Sequence, residues 1–179
     1  MLKILVCCKP VPKGIRNVKW LEKKGALECE SNSFLMNEGD EYALDAALVW
    51  KRRGEAEVTV LTVGGIRSQD ILYTALAKGA DQAIRIDAEA NESEAIARIL
   101  AKALREKGYD LVLTGVESED DLACQVGTSL AEELQLPHAF AVTKVEFGRD
   151  QRFIPLNIHH DVRVQPAPHA CDFRDAIGS

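Results

Sequence analysis

Along this chain, short apolar runs alternate with longer stretches whose apolar residues recur every three to four positions. Lys3 to Cys8 is dry on both faces, as suits a strand inside a parallel sheet. Asn37 stands where an N-cap belongs, with Asp40 in the first turn, and Leu44, Ala47 and Leu48 form one stripe with Lys51 at its margin. Gly54 closes that helix. Val58–Val63 is β-branched and strand-like, and Gly64 with Gly65 makes a sharp turn after it. Ser68 caps a second helix with Ile71, Leu72, Ala75 and Leu76 inside, and Gly79 stops it. Ala83–Ile86 reads as a third strand. Asn91 opens a third helix with Ile96, Ile99, Leu100, Ala103 and Leu104 inward, ending at Gly108. Asp110–Thr114 is a fourth strand, and a fourth helix from about Leu122 buries Val126, Leu130 and Leu134 before Pro137.

Strands that alternate with helices predict βαβ units, and so an α/β fold with a doubly wound, mostly parallel sheet. Between the first strand and first helix, residues 17–21 and 26–30 flank Lys23, Lys24 and Gly25, which predicts a hairpin excursion near 15–31. Phe140–Phe147 suits a further strand. One domain is expected over 1–147. Residues 148–179 lose the periodicity and are expected to form an irregular tail of loop, edge strand or disorder.

Composition narrows the function classes. The 179 residues are 46% hydrophobic and 28% charged, which is globular. A net charge of −6 argues against nucleic acid or an anionic membrane as partner. No apolar stretch approaches the ~20 residues of a membrane span, and the apolar run at the N-terminus stops at Lys9, too short for a secretory signal. The five cysteines are odd in number and form no CxxC pair, so free thiols and a cytoplasmic setting are expected.

Ligands of open parallel sheets bind beyond the carboxyl ends of the strands. Three such ends carry suitable chemistry: Cys7, Cys8 and Lys9; Val63 with Gly64; and Thr114 with Gly115. The stretch from Gly115 to Thr128 is the most informative, with Val116, Glu117, Ser118, Asp120, Asp121, Cys124, Gln125, Val126 and Gly127 between a dry strand and an amphipathic helix. A glycine near a helix start costs about 1 kcal/mol against alanine, so Gly127 implies a close backbone approach to a phosphate or to a neighbouring element. The acids suit ligand hydroxyls, or else simply complement the helix dipole. The chain has no GxGxxG after its first strand, no GxxxxGK[ST] and no GxSxG. His159, His160, Asp161, His169 and Cys171 match no structural zinc spacing, and no metal site is expected. Nor is a catalytic residue.

These residues resemble a known family, the β subunit of electron-transfer flavoproteins. The resemblance is carried by Lys3 to Lys9, by Asn37 through Leu44, by Val58 to Gly64, by Thr74 to Asp81, and by Asp110 to Gly115 followed by Gln125, Val126 and Gly127. It implies a Rossmann-like, adenine nucleotide-binding (HUP-type) three-layer sandwich. It implies a heterodimer with an electron-transfer flavoprotein α subunit that carries most of the redox FAD, and an electron carrier rather than a stand-alone enzyme. The β subunit would bury AMP or FAD, and a flavin dehydrogenase such as an acyl-CoA dehydrogenase would be the electron donor. The family's nucleotide site maps onto Cys7, Asn37, Glu38, Gly39, Asp40, Val63 and the loop from Gly115 to Val126. Cys8, Lys9, Gly64, Gly127 and Thr128 join it from the strand-end argument. The chain departs from the family where it has Val116 for Lys, Glu117 for Gln, Leu122 for Asp and Thr128 for Pro. The family's recognition loop and the arm around α are not found in residues 148–179, so a diverged, frameshifted or truncated end is expected. A degenerate scaffold without electron transfer and an ATP-binding stress-type protein are the alternatives.

Overall fold

The computed structural model describes residues 1–13, 16–21, 26–30, 33–105, 107–143, 145 and 156–158. Six strands form one sheet, all of them parallel: β1 (Leu2–Cys7), β6 (Ala56–Val63), β7 (Gln82–Ile86), β8 (Leu111–Gly115), β9 (Ala139–Val142) and β10 (Leu156–Ile158). Their order is β7-β6-β1-β8-β10-β9. The chain therefore winds from β1 outward to β6 and β7, then returns to the other side of β1 to lay down β8. That reversal puts the topological switch point between β1 and β8.

The alternation of side chains along β1 assigns the two layers. Ile4 and Val6, with Val58, Val60, Leu111 and Leu113, face α1 (Glu38–Arg52) and α2 (Gln69–Lys78). Leu5 and Cys7, with Leu61 and Val112, face α3 (Ser93–Leu104) and α4 (Val126–Leu134). Ile4, Leu5, Leu44, Leu113 and Leu130 are at most 1% exposed. Each such side chain contributes roughly 1.5–3 kcal/mol by leaving water. The result is the three-layer, doubly wound α/β sandwich that the pattern predicts.

The excursion after β1 is built as two antiparallel pairs. Its base is β2 (Pro10–Pro12) against β5 (Phe34–Met36), which the apolar pattern did not suggest. Its arm is β3 (Arg16–Leu21) against β4 (Ala26–Glu30), the expected hairpin strands; the expected turn at Lys23 to Gly25 lies outside the described residues.

Several details correct the sequence reading. The fourth helix starts at Val126, not Leu122, because Leu122 and Cys124 take positive φ of 52° and 55° and break any helical run before it. Val126 and Leu134 are half-buried, and only Leu130 of that trio is fully inside. The third helix turns a different stripe inward: Ala97 and Ala101 are buried with Leu100 and Leu104, while Ile96, Ile99 and Ala103 are half-buried. Small residues win those positions because α3 and α4 pack closely side by side on this face. Asn91 is exposed and does not cap α3, which begins at Ser93. Leu76 points outward, 41% exposed, and Ser68 makes no cap bond but ends a short 3-10 turn, Ile66–Ser68, ahead of α2. Lys51 leaves the apolar stripe and donates to the Gly79 carbonyl at 2.7 Å and to Asp81 at 2.6 Å. Residues 156–158 form a strand inside the sheet between β8 and β9, rather than loop or an edge. Of Phe140–Phe147, the described strand covers residues up to Val142.

At the amino ends of the strands the same device occurs twice. Asp81 donates its N–H to the Val58 carbonyl at 2.8 Å and accepts the Val58 N–H on its carboxylate at 2.9 Å. Asp110 does the same with Lys3, at 2.8 and 2.9 Å. Each aspartate stands just before its strand, β7 or β8, and locks that strand's register to the neighbour.

Candidate functional site

β1 and β8 run side by side, with Cys7 paired to Thr114, and diverge beyond that pair. Into the gap comes the first turn of α1. Asp40 is 6% exposed and accepts the Lys9 N–H on one carboxylate oxygen and the Gly115 N–H on the other, both at 2.8 Å. It thus bridges the two strand ends. Asn37, 2% exposed, donates its side-chain amide to the Glu117 carbonyl at 2.8 Å and accepts the Glu119 N–H at 3.2 Å. Its backbone N–H returns to the Lys9 carbonyl at 3.0 Å. Asn37 does occupy the N-cap position, but its side chain makes no capping bond. The amide is used on a loop 80 residues further along the chain.

This contact demands two glycines. A Cβ on Gly115 would lie 2.6 Å from an Asp40 carboxylate oxygen and 2.9 Å from the Asp40 nitrogen. A Cβ on Gly39 would meet the Gly115 Cα at 3.3 Å. The close approach at Gly115 is therefore to helix α1.

Lys9 reaches over the loop. Its ammonium donates to Ser118 Oγ at 2.9 Å, Asp120 at 2.6 Å and Asp121 at 2.8 Å. Asp121 also accepts from Ser118 Oγ and from the Ala123 N–H, at 2.6 and 3.0 Å. These bonds hold the tight turns at Leu122 and Cys124 in place.

The charges follow from this packing. Burial pushes Asp40 up to about 6, held back by the N–H groups of Lys9 and Gly115 and by Asn37. Partial burial would raise Asp121 too, but the bonds from Lys9, Ser118 and Ala123 lower it to about 2. Burial would lower Lys9, yet its bonds to Asp120 and Asp121 raise it above the ordinary lysine value. Burial, with Asp40 nearby, pushes the Cys7 thiol up to about 12 and raises Cys8 as well. Neither is a reactive thiolate at neutral pH.

Beyond the strand ends lies a cavity of about 100 Å³ that opens into a wider solvent-filled crevice. Of the residues expected from sequence, Cys7, Cys8, Lys9, Asn37, Asp40, Val63, Gly115, Val116, Glu117, Ser118, Asp121, Cys124, Gln125 and Val126 line it. The others do not. Glu38 is exposed and accepts from the Tyr42 hydroxyl at 2.8 Å. Gly39 packs on Gly115, and Asp120 stands behind Lys9. Gly64 receives Arg85 on its carbonyl at 2.9 Å, and a Cβ there would strike the Ser68 hydroxyl. Gly127 is buried within α4, and Thr128 bonds back to the Gln125 carbonyl at 2.9 Å.

Sequence reasoning missed Leu61, Ser93, Ile96 and Leu100, while Thr114 and Ala123 lie within the strand end and loop it pointed to. Three of the missed residues come from α3. The return crossover from β7 to β8 carries α3 across β6 and β1 toward the switch point. No local motif marks that. Among the described residues no three His, Cys, Asp or Glu side chains gather as metal ligands, and His159, His160, Asp161, His169 and Cys171 lie outside them. No described helix is long and apolar enough to cross a membrane.

A parallel, doubly wound sheet with a crevice at its switch point defines an open α/β domain, a class whose ligands bind beyond the strand ends. Comparison with known proteins identifies which one. An electron transfer flavoprotein domain model matches residues 27–165. The chain is 35% identical over 149 residues to the electron transfer flavoprotein subunit beta of Syntrophomonas wolfei, covering 82% of this chain and 58% of that protein. It is 34% identical over 152 residues to the subunit beta of Clostridium acetobutylicum, covering 83% and 58%. It is 36% identical over 150 residues to the caffeyl-CoA reductase-Etf complex subunit CarD of Acetobacterium woodii, covering 81% and 56%. The chain belongs to the electron transfer flavoprotein β-subunit family. It spans a little under three fifths of the length of these relatives.

Proposed function

We propose that the chain acts as an electron transfer flavoprotein β subunit that holds an adenine nucleotide, AMP or FAD, in the β1–β8 crevice. It works with an α subunit carrying the redox flavin, passes on electrons from a flavin dehydrogenase such as an acyl-CoA dehydrogenase, and resides in the cytoplasm. The observation that carries this reading is the cavity itself. It sits at the switch point, and its floor and one wall are apolar through Leu61, Val63, Ile96, Leu100 and Val126. A flat base suits such a wall, while Glu117 and Asp121 at the same cavity accept hydrogen bonds from amino and hydroxyl groups. Cys7 and Cys8 are held as neutral thiols, so redox chemistry in this reading belongs to a flavin and not to the chain's own groups.

Purification of the native protein with its neighbours, followed by an absorbance spectrum and identification of released nucleotide, tests the proposal. The expected result is an α-like partner, a flavin spectrum and an adenine nucleotide released on denaturation. A nucleotide-free monomer that stays so when AMP or FAD is supplied would refute it.

A further inference from the structure

Resting on that reading, we infer that residues 117–124 form a lid over the crevice and that Lys9 is its catch, so that a ligand enters and leaves when the Lys9 contacts break. Glu117, Ser118, Asp121, Ala123 and Cys124 make one wall of the cavity. With that wall in place the enclosed part is about 100 Å³, short of the roughly 300 Å³ at which small-molecule sites begin. A nucleoside needs the wall to move back.

Two forces within the segment favour its opening. Glu117, Glu119, Asp120 and Asp121 put four carboxylates into five residues, and like charges repel. Leu122 and Cys124 sit at φ of 52° and 55°, a region costly to any residue with a Cβ, and both regain ordinary backbone if the turn unwinds. Two side chains oppose these forces. Asn37, 2% exposed, holds the Glu117 carbonyl and the Glu119 N–H at the near end. Lys9 holds the far end through Ser118, Asp120 and Asp121, and among the described residues it brings the only positive charge bonded to the segment. The Asn37 end is buried and neutral, so it serves as the hinge. The Lys9 side chain is 32% exposed, where water competes for its bonds, so that end lets go. Lys9 thus acts on a bound ligand through the position of the lid.

Hydrogen exchange read by mass spectrometry on the ligand-free full chain tests the catch. In the closed lid the Glu119, Leu122 and Ala123 N–H groups are bonded to Asn37, Ser118 and Asp121. Lys9→Met is expected to speed exchange over residues 117–124 about tenfold, the order of one charge-assisted hydrogen bond, while β1 and β8 stay protected. Lys9→Arg keeps the charge and reaches both carboxylates, and is expected to stay within about twofold of wild type. Unchanged exchange in Lys9→Met overturns the inference, as does a variant that loosens β1 and β8 to the same degree. Release of radiolabelled adenosine, chased with unlabelled adenosine, tests the passage of ligand. Adenosine has no phosphate, so release about tenfold faster from Lys9→Met reports the lid and not a lost contact between Lys9 and an anion. Equal release rates overturn the inference and leave the adenine-binding reading standing. Failure of adenosine, AMP and FAD alike to bind removes the adenine-binding reading, while hydrogen exchange still decides the catch.

Discussion

Asp40 accepts a backbone N–H from each side of the switch point and does so almost entirely out of water. Its value of about 6, above the ordinary 3.8, means that the folded state favours the protonated acid. The stability it contributes is full below about 3.8 and is lost as pH rises through about 6. Asp121 has the opposite sign: lowered to about 2, it contributes fully above 3.8 and loses that as pH falls through 2. Urea unfolding of wild type and Asp40→Asn between pH 4 and 7 should show a downward slope in wild type that the variant flattens. Equal slopes would rule this out. The glycines give a second test. Gly115→Ala places a methyl 2.6 Å from the Asp40 carboxylate and 2.9 Å from backbone, and should lose about 1–3 kcal/mol by overpacking. Gly65→Ala meets nothing within 4 Å and should be neutral to slightly stabilising, by up to about 1 kcal/mol. Unfolding midpoints at pH 7 separate the two.

At the scale of elements, burial decided more than capping. The N-caps expected from Asn37, Ser68 and Asn91 place the helix starts to within two residues, yet among the described residues no α-helix receives a side-chain capping bond. Local chemistry locates a helix end, while the fold recruits the polar group for something else. Asn37 is the clearest case, since its amide holds Glu117 and Glu119. The amino-end aspartates are the counterpart for strands. Asp110→Ala removes the carboxylate that accepts the Lys3 N–H and should cost about 0.5–1.5 kcal/mol in chemical denaturation. In the α3–α4 layer, Leu130→Ala at 1% exposure should cost about 2–5 kcal/mol, several times more than Leu76→Ala on the outer face of α2. Similar losses from the two leucines would contradict the assignment of faces.

At the scale of the whole molecule, β10 joins the sheet to residues far from its core. It pairs with β8 on one side and β9 on the other, and the ladder of β9 runs through it. A chain ended after residue 147 removes β10 and leaves β9 without its ladder. Such a chain is expected to unfold at a lower urea concentration than the full chain, with the loss concentrated at the β8 side in hydrogen exchange. Unchanged stability would mean that the sheet closes at β8.

The strands of the βαβ units, their helices and the alternation of the two follow from local pattern, while β2, β5 and β10 do not, and the pattern offers three strand ends without choosing the crevice between β1 and β8. Apolar periodicity and chain order are properties of neighbouring residues, and the right-handed crossover rule converts them into layers. What the side chains of the site do is decided across 75 to 112 residues of sequence, where Asp40 meets Gly115 and Lys9 meets Asp121. From sequence the acids beyond Gly115 read first as ligand groups, with a simple helix cap as the alternative. In the folded protein two of them hold Lys9 instead, and α3 supplies Ser93, Ile96 and Leu100 to the opposite wall. Hydrogen-bond partners and cavity walls depend on which surfaces meet in space, and only the packed sheet brings these together.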